Sequence, residues 1–266
     1  MSLEVGALDL TIIGPALLAG LLVLATHVPL GMQVLARGIV FIDLAIAQIA
    51  GLGVIAADAL GLPQGGIAVQ AAAVSAALAG ALLLTWTERR AAQQQEALIG
   101  VLFVLSACAG IVLLAHHPHG GEQLKELLVG QILWVNASQL AALAVVTVLL
   151  LAAMGLGIAR RLGRFGFYAV FAIAVTASVQ LVGVYLVFSS LIVPALATRA
   201  SGTTQRRTAV AYAVGAAGYV IGLALSALAD LPSGAVIVLA MAACALALVA
   251  LRRQSSTAGA APLSAR

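Results

Sequence analysis

The sequence predicts an all-α protein that crosses a membrane many times. Of its 266 residues, 63% are hydrophobic and only 8% are charged, which is too few charges to cover the surface of a soluble globule. The mean hydropathy is +1.16. The apolar residues fall into runs of about 20, the length that a helix needs to cross the hydrocarbon core of a bilayer.

The apolar runs in the first part of the chain predict five crossings. In chain order these are expected at about residues 10–30, 39–60, 67–87, 96–115 and 139–158. The segment 122–138, which precedes the fifth run, is too polar and too short to cross. It therefore favours an interfacial helix and turn.

The second part of the chain predicts four more crossings, one of them short. The apolar block 165–200 is too long for one span and too short for two full ones. A full helix to about Val187 and a short helix returning to Arg199 fit it best. A span at about 208–227 and a last span that ends at Arg253 bring the total to about nine. Residues 1–253 then form one transmembrane domain, and residues 254–266 are expected to be a disordered cytoplasmic tail.

The basic residues recur at the ends of these runs. With Arg37 placed on one side of the membrane, the alternation of spans puts the other arginines at span ends on the same side: Arg89, Arg90, Arg160, Arg161, Arg164, Arg199, Arg206, Arg207, Arg252 and Arg253. The positive-inside rule then predicts a multi-pass protein of the inner (plasma) membrane with its N-terminus outside and its C-terminus in the cytoplasm. Because the bases form no single patch, the net charge of +4 does not indicate nucleic-acid binding.

Three polar side chains within predicted spans are candidates for a transport pathway. Burying a carboxylate in a bilayer costs about 2.5–3.5 kcal/mol on insertion scales, so one is retained where a partner, water or a ligand meets it. Two roles are open for Asp43: a polar gate or ion contact on the pathway, or a structural hydrogen-bond partner of Arg37. Gln48 either lines the pathway or bonds between helices, and Gln180 either lines a cavity or serves packing. Asp58 is expected to be a solvated helix end.

A histidine-rich loop follows the fourth predicted span. His116, His117 and His119 could capture a transition metal, because imidazole suits zinc and related ions. Exposed loops also carry histidines without such a role, so both interpretations remain open.

No enzyme motif is evident. A phosphate-binding P-loop ends in Lys-Ser or Lys-Thr, whereas Lys125, which is the only lysine, is followed by Glu126. His27 lies in the first span with no nucleophile motif beside it. The sequence therefore predicts a protein that is not an enzyme and that holds no permanently bound cofactor, and any ATP would be used by a partner subunit.

Four stretches resemble the permease subunit of metal-ion ABC importers of the zinc/manganese type. They are LGMQVLARGIVFIDLAIAQIAGLGV, EALIGVLFVLSACAGIVLL, LLVGQILWVNASQL and, most specifically, SVQLVGVYLVFSSLIVPALATR. The resemblance implies a type II ABC importer permease fold that moves zinc, manganese or iron into the cytoplasm by alternating access. It also implies a homodimer, cytoplasmic ABC ATPase subunits and an extracytoplasmic metal-binding protein.

The chain departs from this family in the second span. Family members commonly have Gly-Asp-x-x-x-His there, with the Asp and His one turn apart. Alignment on Phe41 and Gly53 puts Leu44 and Gln48 at those positions, with Asp43 one residue away. We therefore expect weak, transient contact with the ion rather than a tight site, as conduction requires.

The loop after the fifth span is also shorter than in that family. Family members have a longer segment there, which forms the helix that docks into the ATPase. Residues 159–163 match the end of that segment. The resemblance thus implies an ATPase-docking set made of Ala159, Arg160, Arg161, Gly163 and Arg164.

Two other kinds of transporter fit the same sequence. One is a permease for a chelated metal or a small organic cofactor. The other is a secondary transporter or channel acting alone, which would move its substrate without nucleotide. A purely structural membrane subunit is disfavoured by the polar residues at depth.

Overall fold

The computed structural model describes residues 10–63, 66–115, 117, 120–200 and 202–258. Within these ranges the regular structure is helical and no strand occurs, which confirms the all-α class. The helices in chain order are α1 (Leu10–Arg37), α2 (Ile42–Ala59), α3 (Ile67–Arg90), α4 (Gln95–Leu114), α5 (Gly120–Val129), α6 (Ala137–Gly155), α7 (Ile158–Arg161), α8 (Gly163–Val182), α9 (Val184–Ala197), α10 (Thr204–Ala229) and α11 (Ser233–Ala258).

Eight helices of the described ranges are long and apolar enough to cross a membrane, and α9 is a shorter apolar helix of 14 residues. At 1.5 Å per residue α9 is about 21 Å long, less than the roughly 30 Å of bilayer hydrocarbon. These nine segments confirm the predicted crossings, including the short one. The 10-residue α5 and a 3₁₀ turn at Ile132–Trp134 lie where an interfacial helix and turn are predicted.

The break between α8 and α9 lies earlier than the sequence predicts, at Gly183 rather than near Val187. Gly183 has φ +79° and ψ 161°, a backbone region open essentially to glycine alone. A Cβ at Gly183 would also collide with the backbone of residues 128–130, and one at Gly130 would collide with Val182 and Gly183. The two helices therefore meet at a single glycine whose backbone lies against the end of α5.

Helix α8 is the centre of the bundle. Its spanning window is 67% buried, against 17% for those of α4 and α6, and it packs against α1, α2, α3, α6 and α9. A buried polar contact supplements the apolar packing: the Nε2 atom of His27 on α1 lies 3.3 Å from Oγ of Ser178 on α8, and its Nδ1 lies 2.9 Å from the carbonyl oxygen of Val23. The contact of Nδ1 with the Val23 carbonyl thus orients the imidazole ring, and Nε2 of the same ring links α1 to α8.

The two ends of the bundle differ in charge. Because successive spans run in opposite directions, the arginines at the ends of α1 and α3, in the turns around α7 and after α9, and at the start of α10 share one end, here called the basic end. Helix α2 ends and α3 begins at the opposite end, here called the outer end. Helix α11 continues to Ala258, so residues 254–258 of the predicted tail are helical, and residues 259–266 lie outside the described residues.

Candidate functional site

A cavity of about 450 Å³ lies at the outer end, between α2, α3, α5, α8 and the start of α6. We call it the vestibule. Polar side chains supply most of its lining: Asp58, Gln70, His117, Glu122, Gln123, Glu126, Gln131, Gln139 and Gln180.

One face of α5 forms a wall of the vestibule. Glu122, Gln123 and Glu126 all line it, since residues three and four apart share a helix face. Leu127, which also lines the vestibule, lies over Gly51 of α2, where a Cβ would be 3.7 Å from the leucine side chain, an ordinary van der Waals contact. The wall formed by α5 thus faces α2 at this point.

The vestibule is acidic. Asp58, Glu122 and Glu126 line it, and no arginine or lysine among the residues that the structure describes does. An Oδ2 atom of Asp58 lies 3.5 Å from Nε2 of His117, and Gln131 donates a 2.6 Å hydrogen bond to Glu126. Carboxylates gathered in a cleft focus a negative potential that raises the local concentration of cations.

An amide pair joins α3 and α8 at the vestibule. Nε2 of Gln70 donates to Oε1 of Gln180 at 2.8 Å, and Nε2 of Gln180 donates to Oε1 of Gln70 at 3.0 Å. Gln70 lies in the first turn of α3 and Gln180 in the last turn of α8. Gln180 therefore lies near the outer end of α8, two residues before its last residue, Val182.

Of the predicted histidines, His117 lines the vestibule, whereas His116 and His119 lie outside the described residues. Across the described ranges, no group of three or more histidine, cysteine or carboxylate side chains is arranged to hold a metal ion.

Asp43 and Gln48 do not line the vestibule. Asp43 lies in the first turn of α2, is fully buried, and neither carboxylate oxygen has a hydrogen-bond partner among the described residues. The alternative that pairs it with Arg37 does not hold, because the Arg37 guanidinium lies 3.9 Å from the ring centroid of Phe167. Gln48 is half-buried, and its side chain forms no hydrogen bond within the described part of the chain.

The predicted docking residues form a short exposed segment at the basic end. Arg160, Arg161, Gly163 and Arg164 are exposed, and Ala159 is partly buried against the core. Nε of Arg164 lies 3.8 Å from a carboxylate oxygen of Glu88 at the end of α3. Three exposed apolar side chains accompany them: Leu156, Ile158 and Leu162.

Several vestibule residues were missed by sequence reasoning. Asp58 was taken as a solvated helix end, and Gln70, Glu122 and Glu126 were not singled out. A signal for the α5 residues was present in the i, i+4 spacing of the two glutamates on one face of a helix too short to cross. No local signal could have paired Gln70 with Gln180, which lie 110 residues apart.

Comparison with known proteins gives one family match and a shared fold. The profile of the ABC 3 transport family matches residues 9–156 and 151–252. No curated protein matches the sequence. The chain is similar to PsaBC from Streptococcus pneumoniae in complex with Fab, with a TM-score of 0.71 and 21% identity over 88% of this chain and 90% of that one. It is also similar to an ABC transporter described as being of the metal-chelate type, in an inward-facing conformation, with a TM-score of 0.68 and 18% identity over 94% of this chain and 92% of the other.

Proposed function

The chain belongs to the ABC 3 transport family, and we propose that it is the membrane permease subunit of an ABC importer for a divalent transition-metal ion: zinc, manganese or iron. In this proposal the permease works by alternating access as a homodimer. Separate cytoplasmic ABC ATPase subunits power it, and an extracytoplasmic binding protein delivers the ion.

The distribution of charge supports import as the direction of transport. The positive-inside rule assigns the basic end to the cytoplasm, which turns the vestibule toward the outside, with the N-terminus outside and the C-terminus in the cytoplasm. A cation delivered from outside would then meet the acidic vestibule first.

The acidic vestibule is the observation that carries the proposal. Its three lining carboxylates are Asp58, Glu122 and Glu126, and within the described ranges no arginine or lysine lines it. A divalent cation that enters such a cleft is stabilised by the negative potential and needs no tight coordination shell. Weak binding of this kind suits a conducting pathway, from which the ion must also leave.

Beyond the vestibule, Asp43 is the best candidate for a second contact with the ion. A fully buried carboxylate with no hydrogen-bond partner among the described residues is costly. That cost supports a role in which an ion, water or the second subunit meets Asp43 during the cycle. Gln48 lies on the same helix and Gln180 at the vestibule, which keeps both as pathway candidates.

The segment around α7 is the proposed ATPase-docking site. It combines exposed arginines with exposed apolar side chains at the basic end, and such a mixture is typical of protein interfaces. The least buried spans, α4 and α6, offer apolar surface to lipid or to the second permease copy.

A permease for a chelated metal is the second candidate. It is favoured by the size of the vestibule, about 450 Å³, and by the absence of a metal-holding group of side chains in the described ranges. A chelate carries its own ligands, so the protein would need only to accommodate its shape and charge.

The test is reconstitution of the chain with the ATPase and the binding protein of its own importer. Metal uptake and ATP hydrolysis are measured with zinc, manganese and iron, each free or as a chelate. One free metal that stimulates both supports the first proposal, and stimulation only by a chelate supports the second. Uptake by the chain alone, without nucleotide, would overturn both in favour of a secondary transporter.

Matched variants tie the result to the vestibule. Asp58→Asn combined with Glu122→Gln removes two vestibule charges and is expected to raise the KM for the metal. Asp230→Asn is the control, because Asp230 is an exposed carboxylate in the turn between α10 and α11, outside the vestibule. Equal effects of the two changes would contradict a role for the vestibule.

A further inference from the structure

A second cavity lies at the basic end, between the end of α1 and the segment that joins α9 to α10. Its volume is about 350 Å³, and its lining residues are Met32, Leu35, Ala36, Arg199, Thr204 and Arg207. It lies at the opposite end of the bundle from the vestibule and shares no residue with it.

The polar lining of this cavity is suited to an anion. Arg199 and Arg207 both face it, and none of its lining residues is acidic. Two like charges on one cavity repel each other unless an anion lies between them. In addition, Nε of Arg207 is buried and has no hydrogen-bond partner among the described residues, and a buried donor left without a partner is unfavourable.

The start of α10 adds to the same preference. The carbonyl oxygen of Thr203 accepts a hydrogen bond from the Arg207 N–H at 3.0 Å, and the Thr203 hydroxyl accepts one from the Arg206 N–H at 3.5 Å. The N–H groups of the two residues before them, Thr204 and Gln205, have no acceptor within the helix. These donors and the positive end of the helix dipole favour a negative group beside Thr204.

We propose that this cavity binds the phosphate group of an anionic phospholipid in the membrane leaflet at the basic end. Arginine is suited to this role, because its planar guanidinium can donate two parallel hydrogen bonds to a phosphate. Basic pockets between transmembrane helices are typical sites for anionic lipid headgroups.

The surroundings of the cavity favour a lipid over a soluble anion. Met32, Leu35 and Ala36 give it an apolar wall on α1. Leu196 lies in the last turn of α9, three residues before Arg199. Its side chain is 54% exposed and offers a surface for an acyl chain. A headgroup bound by the arginines would thus lie with its chains against apolar helix surface.

The experiment measures lipid binding to the purified full-length chain in detergent. Native mass spectrometry quantifies bound phosphatidylglycerol and, in parallel, phosphatidylcholine, and thermal unfolding with each lipid gives a second readout. The test variant is Arg199→Gln combined with Arg207→Gln. The control is Arg89→Gln, which removes an exposed arginine at the same end but outside the cavity.

We expect phosphatidylglycerol to bind the native chain more tightly than phosphatidylcholine and to raise its Tm. The double variant should bind phosphatidylglycerol about tenfold more weakly or worse, since each arginine contributes charge-assisted hydrogen bonds, and the control should bind normally. Arg207→Lys keeps the charge but loses the planar guanidinium, so its affinity for phosphatidylglycerol should lie between those of the native chain and the double variant. This single conservative change also provides a test if the double variant folds poorly.

Inorganic phosphate at matched ionic strength distinguishes the two sources of the anion. If phosphate alone raises the Tm of the native chain as much as the lipid does, the lipid assignment is overturned in favour of a soluble phosphate compound. Equal binding of both lipids by the native chain, or undiminished phosphatidylglycerol binding by the double variant, would also overturn the proposal.

Discussion

Gln70 and Gln180 form a reciprocal amide pair, in which each side chain both donates to and accepts from the other at 2.8 and 3.0 Å. The pair holds the start of α3 against the end of α8 at the rim of the vestibule. Because both hydrogen bonds require both residues, their loss should not be additive.

We therefore predict that Gln70→Ala and Gln180→Ala each lower the free energy of unfolding by about 1 kcal/mol, and that the double variant loses less than the sum. The measurement is a double-mutant cycle on the unfolding of the purified chain. Gln33→Ala is the control, because Gln33 is exposed and bonds only within α1. Additive losses at Gln70 and Gln180 would show that the pair contributes no coupling.

Asp43→Asn should separate stability from transport. The substitution keeps the shape of a buried side chain that has no hydrogen-bond partner in the described ranges and removes the possibility of a buried charge. The Tm of the purified chain should stay the same or rise, while metal uptake by the reconstituted complex should fall by about tenfold or more, the effect of losing about 1.4 kcal/mol from a charge contact with the ion. A lower Tm with normal uptake would instead assign Asp43 a structural role.

Ionic strength should weaken uptake through the vestibule. Salt screens charges over about 10 Å at 0.1 M, so the KM for the metal should rise several-fold between low and high salt. Asp58→Asn combined with Glu122→Gln should make the KM less sensitive to salt. Initial uptake rates over a salt series measure both, and an unchanged slope in the variant would mean that these carboxylates do not attract the ion.

Gly183→Ala should be strongly destabilising. Its backbone conformation costs a residue with a Cβ about 1–3 kcal/mol, and the added atom would also collide with the end of α5. Gly100→Ala is the matched control, since a Cβ at Gly100 would meet no atom within 4 Å. Thermal unfolding of both variants tests the prediction, and a Gly183→Ala protein as stable as the control would contradict the structure of this junction.

Charge reversal on α7 should disrupt docking of the ATPase. Arg160→Glu combined with Arg161→Glu should reduce co-purification of the ATPase by about tenfold or more, because reversing two charges in an interface destroys its electrostatic complementarity. Thermal unfolding of the permease should change little, since both side chains are exposed. Arg89→Glu provides a control at the same end. Normal co-purification of the double variant would move the docking site elsewhere.

The membrane-spanning architecture was predictable because the bilayer fixes the length of each apolar run and the arginines mark alternate ends. The position of the α8–α9 break was predictable only to within a few residues, because apolar residues flank Gly183 on both sides and only the close approach to Gly130 shows why the helices join there and not near Val187. Hydropathy alone does not mark the residue at which a helix breaks.

The candidate site was predictable only in part for a similar reason. Gln180 stood out as a polar group within an apolar block and His117 as part of a histidine-rich loop, and the structure places both at the vestibule. The carboxylates of α5 were hidden in a segment already expected to be polar. The contact of Asp58 with His117 depends on how α2 packs against the chain that follows α4, which no local spacing encodes.

The central helix α8 links the two working ends of the molecule directly. It begins two residues after α7, the proposed docking segment, and ends at Gly183 against the end of α5, which walls the vestibule. Twenty residues of helix form a rod about 30 Å long, and no flexible loop lies along it. A displacement of its end next to α7 would therefore reach the rim of the vestibule as rigid-body motion, so α8 is suited to act as a mechanical strut between the proposed docking segment and the vestibule.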